Sequence, residues 1–355
     1  MKLLILPGDG IGPEIVDVAR KALAALNDRF ALGLTFETED IGLARLEATG
    51  STRPDSVQDK MRAADGIVLG PVSTHAYPHP SEGGINVSAW SRTRLDLYAN
   101  IRPSAVRPGV PAHVQAMDLV IVRENTEGFY ADRNMAWGTG EFMPTKDVAL
   151  AVGKATREGC RRIAAAACEL AMRRNRRLTI VHKANVLTRY SGLFLETARE
   201  VANAYPDIEV DDVIVDAMAA LLVREPERFD VIVTSNMFGD ILSDEAAELA
   251  GGLGLAASLN AGDDHAVAQA AHGSAPDIAG QDIANPAAIL HSTAMLLEHL
   301  GARTGDNGLA AAARCLADGT DTVLAHDATR TKDLGGQGGT RAFGDALVAR
   351  VASEG

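Results

Sequence analysis

The sequence lacks any apolar run long enough to cross a membrane. Its 355 residues are 46% hydrophobic and 23% charged, which is ordinary for a globular protein. A membrane-spanning helix needs about 18 consecutive apolar residues. The opening MKLLILPGDG has an apolar stretch too short for a secretory signal and runs directly into a glycine turn. We therefore predict a cytoplasmic protein with no membrane partner, whose first residues form the first strand of the fold.

Cysteine and positive charge are also scarce. Cys160, Cys168 and Cys315 are odd in number, lie in Ala-rich helical segments and lack metal-ligand spacing. We predict that all of them are free thiols in a reducing compartment. The net charge of −13 argues against nucleic acid as a partner, because nucleic-acid binding needs a basic face. In so acidic a chain, clustered arginines become informative.

Apolar runs alternate with helix-like segments along the chain. The runs that predict strands lie at residues 3–6, 66–70, 119–124, 178–183, 213–215 and 231–236. Apolar residues at helical spacing predict helices at residues 13–27, 155–174 and 190–204. This alternation predicts an α/β fold with a central sheet.

The length of the chain exceeds what one hydrophobic core usually supports, so we predict two domains. The proline-rich segment 102–113 and the glycine-rich segment 250–264 lack periodicity, and we expect them to cross between the domains. The middle of the chain then forms one domain, and its two ends together form the other.

The first predicted strand is followed by Gly8, Gly10 and Gly12. The dinucleotide-binding fingerprint has a wider gap before its third glycine. The spacing therefore favours a tight turn, in which glycine supplies positive φ angles, over a phosphate-binding loop.

Several arginines are candidates for binding an acidic ligand. Arg92, Arg94 and Arg102 lie in SRTRLDLYANIRP, and Arg123 ends the run LVIVRE. Guanidinium groups bind carboxylates in a bidentate manner, so converging arginines would suit a di- or tricarboxylic acid. Taken singly, each is better explained as a surface arginine that pairs with an acid. Arg123 is the exception, because ligands gather at strand ends in α/β sheets.

Tyr130 and Lys183 are candidates for proton transfer. A lysine that is desolvated at a strand end can act as a general base, and a nearby phenol can pass a proton to carbon. The alternative is a half-buried tyrosine and a lysine that extends its ammonium group into solvent, and each is the commoner case in isolation.

Three aspartates are candidates for a metal site. Asp240 and Asp244 stand four residues apart and so share a helix face, while Asp216 follows a different apolar run. Carboxylate oxygens suit Mg²⁺ or Mn²⁺. The alternative is that Asp240 caps a helix and Asp244 complements the dipole of its first turn.

In their order along the chain, these segments resemble the β-decarboxylating dehydrogenases, the family of isocitrate, homoisocitrate and 3-isopropylmalate dehydrogenases. The matching segments are LPGDGIGPE, LDLYANIRP, VRENTEGFY, HKANVL, VDAMA, RFDVIVTSNMFGDILSDEAAEL, HGSAPDIAGQDIANP and DLGG. The resemblance implies an isocitrate/isopropylmalate dehydrogenase-like α/β fold, with two domains that share a central sheet and a dinucleotide site that is not of the Rossmann type. It implies a large cofactor-binding domain of residues 1–100 and 251–355. Residues 101–250 would form a small domain with the dimer interface and the metal and catalytic residues.

The resemblance also assigns roles to the candidate residues. It implies that Arg92, Arg102 and Arg123 bind substrate carboxylates, that Tyr130 and Lys183 are catalytic, and that Mg²⁺ or Mn²⁺ is held by Asp216, Asp240 and Asp244. In the family, the lysine and the first aspartate reach into the site of the partner subunit. A homodimer with shared active sites is therefore expected.

The loop at residues 272–286 resembles the adenosine cradle of the family. The residues expected to bind the cofactor are His272, Gly273, Ser274, Ala275, Asp277, Ile278 and Asn285. A carboxylate at Asp277 would accept hydrogen bonds from the ribose hydroxyls and repel a 2′-phosphate, which predicts NAD. Gln269, just before the loop, stands where relatives often have glutamate.

The expected reaction is an NAD-dependent and metal-dependent oxidative decarboxylation of a 3-substituted malate. Substrate choice depends on SEGGINVSAWS, where Asn86 and Ser88 predict a polar pocket, and Trp90 is a candidate to fill the space of a longer substituent. We favour isocitrate or homoisocitrate, then 3-isopropylmalate, then malate or tartrate. The rival classes are a metal-dependent hydroxy-acid lyase without redox chemistry and a non-catalytic carboxylate-binding subunit.

Overall fold

The computed structural model describes residues 1–130 and 140–353. The strands in these residues are β1 (Lys2–Leu6), β2 (Thr35–Thr38), β3 (Gly66–Leu69), β4 (Ala99–Ala105), β5 (Asp118–Glu124), β6 (Glu141–Thr145), β7 (Val148–Ala151), β8 (Arg177–His182), β9 (Glu209–Ile214), β10 (Val231–Thr234), β11 (Leu259–Ala261) and β12 (Ala266–Gln269). The helices are α1 (Gly12–Phe30), α2 (Leu43–Thr49), α3 (Asp55–Ala63), α4 (Val87–Arg94), α5 (Arg157–Arg173), α6 (Tyr190–Ala202), α7 (Val215–Arg224), α8 (Asn236–Ala250), α9 (Ala287–Thr304), α10 (Asn307–Ala325) and α11 (Thr340–Ala352).

One ten-stranded sheet crosses the molecule in the order β2-β1-β3-β12-β11-β4-β5-β10-β8-β9. The first four strands in that order are parallel to one another, and so are the last four. Between these groups, β11 and β4 pair in antiparallel fashion with each other and with their outer neighbours. The two parallel groups therefore run in opposite directions. Outside this sheet, β6 and β7 form a separate antiparallel pair.

The central strands are apolar because helices cover both of their faces. In β5, Val120 and Val122 pack with α5 and α6 on one face, whereas Leu119 and Ile121 pack with α7 and α8 on the other. The other half of the sheet lies between α1, α9, α10 and α11 on one side and α3 and α4 on the other. Parallel strands buried in this way need nearly continuous apolar runs, which is the pattern in the sequence.

Both predicted crossing segments contain a strand of the central sheet. Residues 102–105 belong to β4, and residues 259–261 form β11. Pro103 is tolerated because β11 pairs only with residues 99–101, so the missing N–H of Pro103 lies beyond the end of that neighbour. The division into residues 1–100 with 251–355 and residues 101–250 stays a prediction.

Another predicted strand was placed too late in the sequence. Residues 213–215 were expected to form a strand, but β9 spans Glu209–Ile214 and α7 begins at Val215. Asp216 therefore lies in the first turn of a helix. The cysteines agree with the prediction, since Cys160, Cys168 and Cys315 are all free. No helix among the described residues is long and apolar enough to cross a membrane.

The glycine turn after β1 is explained by backbone conformation and close packing. Gly8 and Gly10 have φ angles of 78° and 57°, in the left-handed region. A Cβ atom on Gly10 would lie 2.0 Å from the carbonyl oxygen of Ser274. The same carbonyl accepts a hydrogen bond of 2.8 Å from the N–H of Ile11. The turn therefore packs directly against the loop at residues 272–286.

Replacing Gly10 tests this packing. Gly10→Ala is expected to lower the free energy of unfolding by about 3 kcal/mol or more, because it adds both backbone strain and a steric overlap. Gly33→Ala is the matched control, since Gly33 has φ of 64° but no neighbouring atom within 4 Å. That control should cost about 1 kcal/mol from strain alone. Urea unfolding followed by circular dichroism measures both, and equal losses would contradict the packing argument.

Candidate active site

Two buried arginines lie side by side on one face of the central sheet. Arg123 on β5 pairs with Asn100 on β4, and Arg102 lies two residues after Asn100. Paired residues and residues two apart point to the same face of a sheet, so these side chains share the face that α8 covers. Arg102 is 6% exposed and Arg123 only 1%. Charges so deeply buried need compensating partners.

Helix α8 supplies those partners, and it begins earlier than the sequence suggested. It starts at Asn236 directly after β10, with Ser235 in an extended conformation at its N-cap. The alternative interpretation of Asp240 as the helix cap is therefore wrong, because Asp240 lies a full turn inside the helix. Asp240 and Asp244 therefore lie on successive turns of α8, on the face of the helix that packs against β4 and β5.

Asp240 is shared by the two arginines. It contacts Nη1 of Arg123 and lies 3.3 Å from Nη2 of Arg102. Arg123 also donates to Oδ1 of Asn236 from Nε at 3.0 Å and from Nη2 at 2.7 Å. Arg102 donates to Asp244 at 3.2 Å and to the hydroxyl of Ser243 at 2.7 Å. The arginines and aspartates thus form one ionic cluster.

The electrostatics of Asp244 reflect its partial burial. The pKa of its carboxyl group is raised, mainly because the group is partly buried. The nearby negative charge of Asp240 raises the pKa further. Arg102 and Arg123 act in the opposite direction. A cation beside Asp244 would favour the charged form of its carboxyl group.

Lys183 and Asp216 form a second cluster. Lys183 follows β8, Asp216 lies in the first turn of α7, and the ammonium group contacts the carboxylate. This hydrogen bond is the main cause that lowers the pKa of Asp216. The backbone N–H of Lys183 donates to Ser191 Oγ at 2.7 Å, which fixes the end of the strand. The Asp216 side chain is 60% exposed, so the pair is presented to solvent.

Tyr130 is partly exposed and lies in the segment that follows β5. That segment is shaped by Glu124, which is buried and was not singled out from the sequence. One of its carboxylate oxygens accepts hydrogen bonds from the N–H and hydroxyl of Thr126 at 2.8 and 2.7 Å. The other oxygen accepts the N–H of Glu127 at 2.8 Å. Burial raises the pKa of Glu124.

A cavity of 180 Å³ opens between α4, β4 and the segment after β12. It brings together residues that the sequence predicted for substrate or cofactor binding, namely Asn86, Ser88, Arg92, Arg102 and His272. Arg123 does not line this cavity. It is linked to the cavity residue Arg102 through the carboxylate of Asp240, which both arginines contact.

Gln269 also lines the cavity, although the sequence placed it beside the adenosine loop. It is the last residue of β12 and is 8% exposed. Ser88 Oγ donates a hydrogen bond of 3.0 Å to its Oε1. The two residues are far apart in the sequence, so only the pairing of β12 within the sheet reveals this contact.

Trp90 and Arg94 face away from the cavity. The guanidinium of Arg53 lies 4.3 Å from the centre of the Trp90 ring, and that of Arg62 lies at 5.5 Å. Trp90 does not line the cavity, since it lies two residues beyond Ser88 on a different side of α4. Arg94 is exposed at the end of the same helix.

The loop at residues 272–286 is anchored at both ends. Ser274 is buried, and its hydroxyl lies 2.7 Å from that of Ser73. Asn285 donates to Asp333 at 2.9 Å and accepts the N–H of Ala287 at 3.0 Å. Ser274 and Asn285 thus shape the loop through protein contacts.

The remaining residues of the loop are more open. Gly273 and Asp277 are exposed, and Ala275 and Ile278 are half-buried. Ala275 adopts the left-handed conformation, with φ of 37°. Nδ1 of His272 lies 2.9 Å from the carbonyl oxygen of Gly273, and burial lowers the pKa of the imidazole. His272 is therefore neutral near pH 7, with Nδ1 as the donor.

Comparison with known proteins identifies the family and the fold. The family model described as isocitrate/isopropylmalate dehydrogenase matches residues 2–347. The chain belongs to this family. Its members are dehydrogenases, and the family and fold predicted from the sequence are confirmed.

Relatives with different substrate names are similar to this chain. The isocitrate/homoisocitrate dehydrogenase of Thermus thermophilus is 43% identical over 353 residues, which cover 99% of both chains. The 3-isopropylmalate dehydrogenase of Mycobacterium bovis is 44% identical over 308 residues, which cover 85% of this chain and 89% of the relative. The crystal structure of isocitrate dehydrogenase from Methylococcus capsulatus has a TM-score of 0.87 and 42% identity, with 99% of both chains covered.

The residues of a single chain fit half of a divalent-metal site. Asp240 and Asp244 present oxygen donors, the type that Mg²⁺ and Mn²⁺ prefer. Within residues 1–130 and 140–353, however, no group of three or more His, Cys, Asp or Glu side chains could hold a metal ion. Asp216 contacts Lys183 in a separate cluster.

The shared position of Asp240 predicts unequal effects of two similar substitutions. Asp240→Asn is expected to lower the free energy of unfolding by about 2 kcal/mol, because it weakens the charge compensation of the buried Arg123. Asp244→Asn should cost about 1 kcal/mol or less, because Asp244 is 53% exposed and contacts Arg102 alone of the two arginines. Urea unfolding in the presence of a chelator measures both values. A larger loss for Asp244→Asn would contradict the shared-carboxylate arrangement.

Proposed function

We propose that this protein catalyses the NAD-dependent and divalent-metal-dependent oxidative decarboxylation of a 3-substituted malate, with isocitrate or homoisocitrate as substrate. The observation that carries the proposal is that Arg102 contacts both the cavity and the candidate metal ligands. It lines the 180 Å³ cavity and also binds Asp240 and Asp244. A carboxylate held by Arg102 would therefore lie beside the carboxylates suited to the metal.

The arginines bind and orient the substrate in this proposal. Arg92 and Arg102 reach a ligand in the cavity, and their guanidinium groups suit the carboxylates of a malate unit. Arg123 holds Asp240 on the other side of Arg102 and adds positive charge next to the ligand. The acidic substrate is thus bound where an otherwise acidic protein concentrates positive charge.

Proton transfers are assigned to Lys183 and Tyr130. Lys183, in its neutral amine form, takes the proton of the 2-hydroxyl group, and Tyr130 delivers its phenolic proton to carbon 3 after CO₂ has left. Asp240 and Asp244 of one chain, with Asp216 of a second copy, would hold Mg²⁺ or Mn²⁺. When bound, the metal supplies a Lewis acid for the substrate oxygens, and the nicotinamide supplies the hydride acceptor.

The loop at residues 272–286 is assigned to the adenosine part of the cofactor. Asp277 is exposed at this loop and can accept hydrogen bonds from ribose hydroxyls. The same carboxylate would repel a 2′-phosphate, which favours NAD over NADP. His272 links the two parts of the site, since it begins the loop and lines the substrate cavity.

A homodimer is part of the proposal, because one chain holds its catalytic groups in separate clusters. Exposed apolar side chains occur on β6, β7, α7 and α8, and these are Phe142, Met143, Val148, Leu150, Val223 and Ile241. Exposed apolar surface of this kind favours an interface. Ile241 directly follows Asp240, so a second copy that covers α8 would lie next to the aspartates.

The domain assignment and location belong to the same proposal. Residues 1–100 and 251–355 would carry the cofactor, and residues 101–250 would carry the dimer interface with Lys183 and Asp216. The free thiols of the chain suit a cytoplasmic location.

A substrate panel tests the proposed activity. We expect NADH formation with isocitrate or homoisocitrate, weaker activity with 3-isopropylmalate, malate and tartrate, lower efficiency with NADP, and complete loss on chelation of the metal. Product analysis without dinucleotide separates the rival lyase, which would consume the hydroxy acid without NAD. Failure to reduce either dinucleotide with any substrate of the panel would refute the proposal.

Mixed dimers test the shared site. Lys183→Met and Arg92→Gln chains should each be inactive alone, whereas their co-expression should restore about a quarter of the wild-type activity. Half of random dimers are mixed, and each mixed dimer would contain one intact site. The control is the co-expression of two differently tagged copies of the same variant, which should form only inactive dimers. If the mixed dimers recovered no activity, Lys183 and Arg92 of the same chain would have to serve the same active site.

A further inference from the structure

The polar groups of the cavity include two side-chain amides that are held in the same manner. Asn86 accepts the N–H of Ala89 through Oδ1 at 2.9 Å, as the N-cap of α4. Gln269 accepts the hydroxyl of Ser88 through Oε1 at 3.0 Å. In both amides the oxygen is engaged by the protein, and among the described residues neither nitrogen has a protein partner. Both amides therefore have N–H donors left for a ligand.

Ser88, in contrast to the two amides, offers the cavity a hydrogen-bond acceptor and no donor. Its hydroxyl proton is donated to Gln269, so the oxygen offers lone pairs and no donor to the cavity. A hydroxyl group in this state is unsuited to a carboxylate, which needs donors. The backbone of Gln269 is itself fixed, because its carbonyl accepts the hydroxyl of Ser258 at 2.7 Å.

We propose that Gln269 and Asn86 receive a carboxylate on the C3 substituent of the substrate through their amide N–H groups, and that Ser88 orients Gln269 instead of binding the substrate. The inference rests on the proposed function and names the substituent that its pocket recognises. Gln269 is then a specificity-determining residue and Ser88 a positioning residue.

The charges of the cavity support these different roles for the arginines and the amides. Arg92 and Arg102 are the cationic groups in its lining, and a malate unit already carries two carboxylates for them. A third carboxylate can be received by neutral donors, since hydrogen bonds to an anionic acceptor are strong. An alkyl substituent would leave both amides without partners, and a buried polar site discriminates strongly against such ligands.

The substitution Gln269→Glu tests the donor role, because it keeps the shape of the side chain and replaces the amide donors by a negative charge. We expect the KM for isocitrate to rise by about tenfold or more through like-charge repulsion, while the KM for malate changes by less than about twofold. The kcat values should change much less. Gln115→Glu is the matched control, because it adds the same charge at an exposed position outside the cavity.

Two further substitutions separate Gln269 from Ser88. Gln269→Met should raise the KM for isocitrate and lower the KM for 3-isopropylmalate, since an apolar side chain suits an alkyl group. Ser88→Ala should raise the KM for isocitrate less than Gln269→Met does. If Ser88→Ala were the more damaging change, the hydroxyl would bind the substrate directly and the inference would be overturned.

The outcomes distinguish this inference from the function on which it rests. A wild-type protein that uses no 3-substituted malate would overturn both. A wild-type protein that oxidises isocitrate, with Gln269→Glu changing the KM of isocitrate and malate by the same factor, would overturn the inference alone. Thermal unfolding of each variant checks that it is folded. If Gln269→Glu does not fold, the comparison of Gln269→Met with Ser88→Ala decides the question.

Discussion

The shared carboxylate of Asp240 is the interaction on which the geometry of the site depends. Arg123 is the largest fully buried side chain of the described residues, so its charge has to be compensated inside the protein. Compensation by Asp240 and Asn236 fixes α8 against β5. The close approach requires glycine at position 239, where a Cβ would lie 2.7 Å from the side chain of Arg123. Once α8 is held in this way, Asp244 is directed towards Arg102.

The cluster lies where the two oppositely directed halves of the sheet meet, and a chain of amides connects it across that junction. Asn260 on β11 accepts hydrogen bonds of 3.0 Å from both Asn100 and Asn125. Asn100 in turn accepts a hydrogen bond of 2.6 Å from Nε of Arg102. Arg102, which we propose binds the substrate, is thereby fixed relative to β11 and its neighbour β12.

The local sequence pattern was sufficient to predict the buried strands. It was insufficient to predict features that depend on packing between distant parts of the chain. An uninterrupted apolar run such as residues 231–234 identifies a strand covered on both faces. Pro103 was misleading because its tolerance depends on where a neighbouring strand ends, which is set by register. The contact between Ser88 and Gln269 joins residues 181 positions apart. No local pattern specifies such a pair, whereas the candidate arginines and aspartates could be found from their motifs.

The separation of the candidate groups within one chain has a consequence for assembly. Asp240 and Asp244 are compensated by Arg102 and Arg123, and Asp216 is compensated by Lys183, so each cluster is electrostatically satisfied without the other. The chain can therefore fold before its proposed site is complete. Under the proposed dimer, catalysis but not folding of the chain would depend on protein concentration. Asp216 would then have to exchange part of its contact with Lys183 for the metal, so assembly of the site would loosen this ion pair.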